Sequence, residues 1–86
     1  MKSKIYRSIE SLIGTEVQYE DFLGYRVIGT IVYAEEDYRL EKDVVFVYLT
    51  DDENPSLNDK TKTLSNGSEI KYANIRKSTE VQLTYS

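Results

Sequence analysis

The chain opens with apolar residues at helical spacing. Ile5, Ile9, Leu12 and Ile13 stand at i, i+4, i+7 and i+8, which predicts one apolar stripe on a helix over residues 3–13. Ser3 caps its start, and Gly14 stands where a helix is commonly closed. So short a helix forms only by docking. It either covers an open end of a β core or presents its stripe to a partner.

From Thr15 onward the period changes to two. Val17 and Tyr19 alternate with Glu16, Gln18 and Glu20, as in a strand with one wet face. Gly24 breaks that run. Residues 25–34 read as a second strand with Gly29 inside it, a position that often marks a bulge or a tight bend. Residues 35–42 read as a charged connection. Residues 43–50 follow, and Val44 to Leu49 are apolar on both faces, as in a strand covered on both sides, with the N-terminal helix as one cover. Residues 51–60 form a polar loop with the only proline, Pro55. Asn66-Gly67 separates runs 61–65 and 68–72, a strong hairpin signal that predicts a type I′ turn. Residues 73–77 read as an irregular or 3₁₀ link. Residues 80–85 close the chain as a strand with Val81, Leu83 and Tyr85 inward.

The expected architecture is one domain over residues 1–86, mainly β with one helix. A capping helix precedes a five- to six-stranded antiparallel barrel over residues 15–85. Gly24-Tyr25-Arg26-Val27-Ile28-Gly29-Thr30-Ile31-Val32 is similar to the Gly-punctuated second strand of the SH3-like barrels, including the KOW and Tudor types. With the strand order, this resembles that superfamily over residues 14–86. It departs from KOW proteins in carrying acidic residues around the segment, and it lacks the paired Trp of true SH3 domains. Such barrels host many unrelated binding roles, so the resemblance implies a fold and no function.

Composition narrows the chemistry. Leu, Ile, Val and Phe make up 23 of the 86 residues, enough for a packed core. With no Cys and no His there is no disulfide, no ordinary zinc or haem site, and no Ser-His or Cys-His nucleophile pair. No GxGxxG, Walker A or GxSxG motif is present, so no cofactor is implied. Asp51, Asp52, Glu53, Asn54 and Asp59 resemble a hard-cation cluster, but the EF-hand positions for Gly and Glu hold Ser56 and Lys62. No metal is expected, and no enzyme. No apolar run approaches a bilayer span, and no signal or lipidation motif follows the basic start, so a cytoplasmic protein is expected.

Charge is unevenly spread. Residues 1–14 carry net +2, residues 15–59 net −9 with twelve acidic side chains, and residues 60–86 net +3. The acidic clusters are Glu20-Asp21, Glu35-Glu36-Asp37 and Asp51-Asp52-Glu53. If they converge on one end of a barrel, they attract a basic surface; if they scatter, they serve solubility. Tyr25, Tyr33, Tyr48 and Tyr72 are expected in the core with hydroxyls at its rim, and Tyr38 exposed among carboxylates, where it suits an interface. The expected function is a non-enzymatic binding protein that engages a basic partner surface through Glu20, Asp21, Glu35, Glu36, Asp37, Tyr38, Asp51, Asp52 and Glu53. In its sharpest form it is a phage or mobile-element inhibitor that mimics DNA. One alternative is a nucleic-acid face of Lys71, Tyr72, Arg76 and Lys77, although pI ≈ 4.8 opposes it. Another is a small subunit that docks through its helix or a strand edge.

Overall fold

A computed structural model describes residues 9–36, 45–77 and 82–83. The strands are β1 (Glu16–Glu20), β2 (Arg26–Glu36), β3 (Val45–Leu49), β4 (Lys60–Thr63), β5 (Glu69–Tyr72), β6 (Asn74–Lys77) and β7 (Gln82–Leu83). Five form one antiparallel sheet in the order β6-β3-β2-β1-β7, and β4 and β5 form a separate hairpin. The chain is mainly β, as the alternation requires. The expected closed barrel is not present: among the described residues the sheet ends at β6 on one edge and β7 on the other.

The first core lies on one face of the large sheet. Val17, Tyr19, Val27, Ile31, Ala34, Val45, Val47 and Leu49 are buried there. Each comes from the alternate positions of its strand, and the β2–β3 register shifts between Ile31 and Tyr33. That irregularity moves Tyr33 and Glu35 to the opposite face while Ala34 returns to the core. Leu12 closes this core from a four-residue 3₁₀ turn, Ile9–Leu12. The expected helix over 3–13 is therefore a correction where it is described, and its first six residues lie outside the described part. Ile13 is exposed while Leu12 is buried, so the stripe is not realised. The reason is local: Thr15 N–H closes back on Leu12 O, and Gly14 N–H donates to Ile31 O. The chain enters the sheet at Glu16, two residues after Gly14.

Among the described residues, the β4–β5 hairpin packs on the second face of the sheet, where the sequence led one to expect the N-terminal helix. Tyr72 packs its ring edge-on against Tyr48 at 5.0 Å, and Tyr48 against Tyr33 at 5.4 Å. Lys62 reaches over the rings of Tyr33 and Tyr48. Tyr48 thus has aromatic neighbours on the side away from Val45, Val47 and Leu49, which accounts for an apolar residue on that side of β3.

Two further expectations change. Residues 74–77 are a strand, with Tyr48 opposite Ile75 and Val47 opposite Arg76, and not an irregular link. The Asn66-Gly67 turn is not type I′, because no non-glycine residue has positive φ. Leu64 N–H donates to Ser68 O, Gly67 N–H to Leu64 O, and Gly67 sits at φ +92°. This is the three-residue loop with a left-handed glycine, the second commonest way to close a hairpin. The β1–β2 connection has the same form, with Asp21 N–H to Tyr25 O, Gly24 N–H to Asp21 O, and Gly24 at φ +91°. No helix among the described residues is long and apolar enough to cross a membrane.

Candidate functional site

Among the described residues, the β1–β2 loop carries the most exposed apolar side chains. Phe22 is 88% exposed, Leu23 66% and Tyr25 68%. Tyr25 was expected in the core, and the structure corrects this: it lies outside the strand, beyond the last β1–β2 pair, Glu20 with Arg26. The tip is firmly held. Asp21 Oδ1 accepts from Leu23 N–H at 3.0 Å and from Tyr25 N–H at 2.9 Å. A short acidic side chain here ties the loop to its own backbone. The tip is thus a pinned protrusion of one Phe, one Leu and one Tyr. The sequence reading missed Phe22 and Leu23. The signal was present as an apolar pair caught between Asp21 and Gly24, two turn formers.

Two of the three acidic segments lie toward this end. Glu20 is exposed at the close of β1. Asp52 N–H donates to Ile28 O, only two residues along β2 from Arg26, or about 7 Å. The 51–53 turn is built by its own aspartates. Asp51 is 5% exposed, and its Oδ1 accepts from Glu53 N–H and Asn54 N–H. Asn58 braces it by accepting Asp51 N–H at 2.7 Å and donating to Asp51 O. Asp52 takes Thr50 Oγ1–H at 2.7 Å and Thr30 Oγ1–H at 2.8 Å. Asp21, Asp51 and Asp52 are therefore turn-building residues first. Glu20 and Glu53 stand exposed beside them.

Glu35 and Glu36 lie at the other end of β2, inside the strand and paired with Phe46 and Val45. They stand about 23–26 Å along the strand from Ile28, so the three acidic segments do not converge on one end. Glu35 is engaged locally, with Lys62 Nζ at 3.9 Å and the Tyr48 hydroxyl donating to it at 3.4 Å. Burial first, and then the Glu35 carboxylate, push the Tyr48 phenol up to about 12. Asp37 and Tyr38 lie outside the described residues.

The four residues of the nucleic-acid alternative do not form one surface. Lys71 is exposed on β5, but strand alternation turns it away from Tyr72. The Tyr72 ring is taken up against Tyr48. The Arg76 guanidinium lies over Tyr19 at 5.9 Å and donates to Glu20 O at 2.7 Å. Lys77 pairs opposite Phe46 at the far end of β6. The docking face expected for an assembly subunit also changes, since Leu12 belongs to the chain's own core.

Among the described residues no group of three or more acidic side chains could hold a metal ion. No protein-family model matches the chain, and neither a curated protein nor a solved structure matches it, so the reading rests on its own geometry.

Proposed function

We propose that this chain is a non-enzymatic binding domain that engages a basic macromolecular surface, most simply a protein, through its β1–β2 end. The observation that carries it is the pinned, exposed trio of Phe22, Leu23 and Tyr25. Water-exposed aromatic and aliphatic side chains on a rigid turn are costly to leave bare and favourable to cover. They supply the central anchor of an interface, and Glu20, Asp52 and Glu53 supply its charged rim. The rim gives the partner its sign: a pocket or groove edged by Lys or Arg. Glu35 and Glu36 form a separate acidic end, outside this footprint. An SH3-like arrangement is also our reading of the fold. The order β1-β2-β3-β6 with β7 returning to β1 supports it, and the hairpin β4–β5 is then an insertion.

The test is capture from a nuclease-treated lysate with four forms of the chain. Wild type should retain a partner, while Phe22→Ser with Leu23→Ser, and Glu20→Lys with Glu53→Lys, should each lose it. Reversal of Glu35 and Glu36 should leave capture unchanged. A partner retained by both tip variants and lost with Glu35 and Glu36 would move the function to the other end. Labelled oligonucleotides at low salt should show no binding, and binding that fades with salt would favour the nucleic-acid alternative instead.

A further inference from the structure

The second hairpin holds a chemistry that the binding reading does not use. Asn66 is followed by Gly67, and residues 65–69 are exposed. Asn66 Oδ1 accepts two hydrogen bonds, from Ser68 N–H at 2.9 Å and from Ser68 Oγ–H at 2.7 Å. Two donors on one amide oxygen draw electron density from Cγ and stabilise negative charge on that oxygen when Cγ is attacked. The nearest backbone nucleophile is Gly67 N, and no side chain on Gly67 shields it.

We propose that Asn66 is a self-modification site, converting through a cyclic imide to aspartyl and isoaspartyl products. Gly67 N loses its proton to hydroxide and forms a bond to Asn66 Cγ, with the oxyanion held by the two Ser68 donors. The Cγ–Nδ2 bond then breaks, and the nitrogen leaves as ammonia after taking a proton from water. Water adds to either carbonyl of the five-membered ring and opens it. No oxidant, metal or cofactor enters. The step waits for Gly67 N–H to leave Leu64 O, its partner at 2.9 Å, so opening of the turn sets its pace. The Ser68 contacts span two residues and need not break with it.

The other three asparagines lack this arrangement. Asn54 precedes Pro55, whose nitrogen carries no proton to lose. Asn58 is held on both atoms of its amide by Asp51. Asn74 donates to Tyr19 Oη and precedes the branched Ile75. Conversion at Asn66 adds one negative charge to a chain already at −4. The isoaspartyl product also lengthens the backbone inside the turn. That product breaks the spacing that lets Leu64 pair with Ser68, and so loosens the hairpin that covers Tyr48.

The test is peptide mapping by mass spectrometry after incubation of the folded chain in mildly alkaline buffer, with the urea-unfolded chain in parallel. Amide-to-acid exchange should accumulate at Asn66 as a mixture of the two isomers, with Asn54, Asn58 and Asn74 unchanged. An unmodified Asn66 in the folded chain, over a period in which the unfolded chain converts, would overturn the proposal, as would equal conversion at the other asparagines. Ser68→Ala should slow conversion severalfold while Leu64 N–H keeps its exchange protection. An equal or faster rate in that variant would remove Ser68 from the chemistry.

Discussion

The Tyr19 hydroxyl donates to the carbonyl oxygen of Thr50 at 3.0 Å, joining β1 to the end of β3 across the intervening strand. The same hydroxyl accepts Asn74 Nδ2–H at 3.1 Å, and the Arg76 guanidinium lies over the ring. One side chain thus ties β1, β6 and the turn after β3 beneath the Asp51–Glu53 segment. Tyr19→Phe removes both hydrogen bonds and leaves a half-buried carbonyl without that donor. The expected loss is about 1–2 kcal/mol, read as a lower urea midpoint with an unchanged slope.

Gly29 faces the same carbonyl. A Cβ added there would overlap Thr50 O and stand 3.0 Å from the Tyr19 ring. Relief would require the Thr50 backbone to withdraw, which breaks its bond with Tyr19 and its N–H···O bond to Thr30. Gly29→Ala is therefore expected to cost about 3 kcal/mol or more, far above the usual propensity change in a strand. Thermal unfolding followed by circular dichroism measures it. A midpoint equal to wild type would mean that β2 and Thr50 are not closely apposed.

Much of this arrangement was legible along the chain, and the exceptions share causes. Alternation located β1 and β2 because each buries one face, and an unbroken apolar run located β3 because it is covered on both. β6 was missed because Asn74, Ile75, Arg76 and Lys77 hold only one aliphatic residue. Its strand character comes from pairing with β3, a partner 25 or more positions away. The N-terminal stripe misled because helical spacing records only which residues are apolar, and Gly14 N–H is claimed by Ile31. Tyr25 misled because an aromatic next to a strand looks like its first core position. The acidic clusters read as uniform charge, yet Asp and Glu divide the work. The shorter Asp side chains reach backbone N–H groups two to four residues ahead, while Glu20 and Glu53 stay exposed.

The raised Tyr48 phenol gives the fold an alkaline limit. A free tyrosine ionises near pH 10, and this one holds its proton to about 12. Above pH 10 the unfolded chain releases a proton that the folded chain retains, so stability attributable to this group is full below pH 10 and is lost as pH rises toward 12. At about pH 11 the loss is on the order of 1 kcal/mol. Tyr48→Phe should flatten that part of the profile relative to wild type, measured as urea midpoints across the range. A variant whose midpoint falls as steeply as wild type would assign the alkaline loss to other groups.

The tip separates function from stability, because its apolar residues and its acid do different things. Phe22 and Leu23 are exposed and no core depends on them, so Phe22→Ser with Leu23→Ser should shift the unfolding free energy by no more than about 0.5 kcal/mol. Asp21 accepts the Leu23 and Tyr25 N–H groups, and Asp21→Ala leaves both without that acceptor. It should cost about 1 kcal/mol and raise hydrogen exchange at those two amides. If the double serine variant instead unfolds the chain, Phe22 and Leu23 are covered by the protein itself and the tip is not an anchor. If it is neutral while Asp21→Ala loosens the loop, the chain maintains a rigid apolar protrusion that contributes nothing to its own fold, which is the physical signature of a surface kept for a partner.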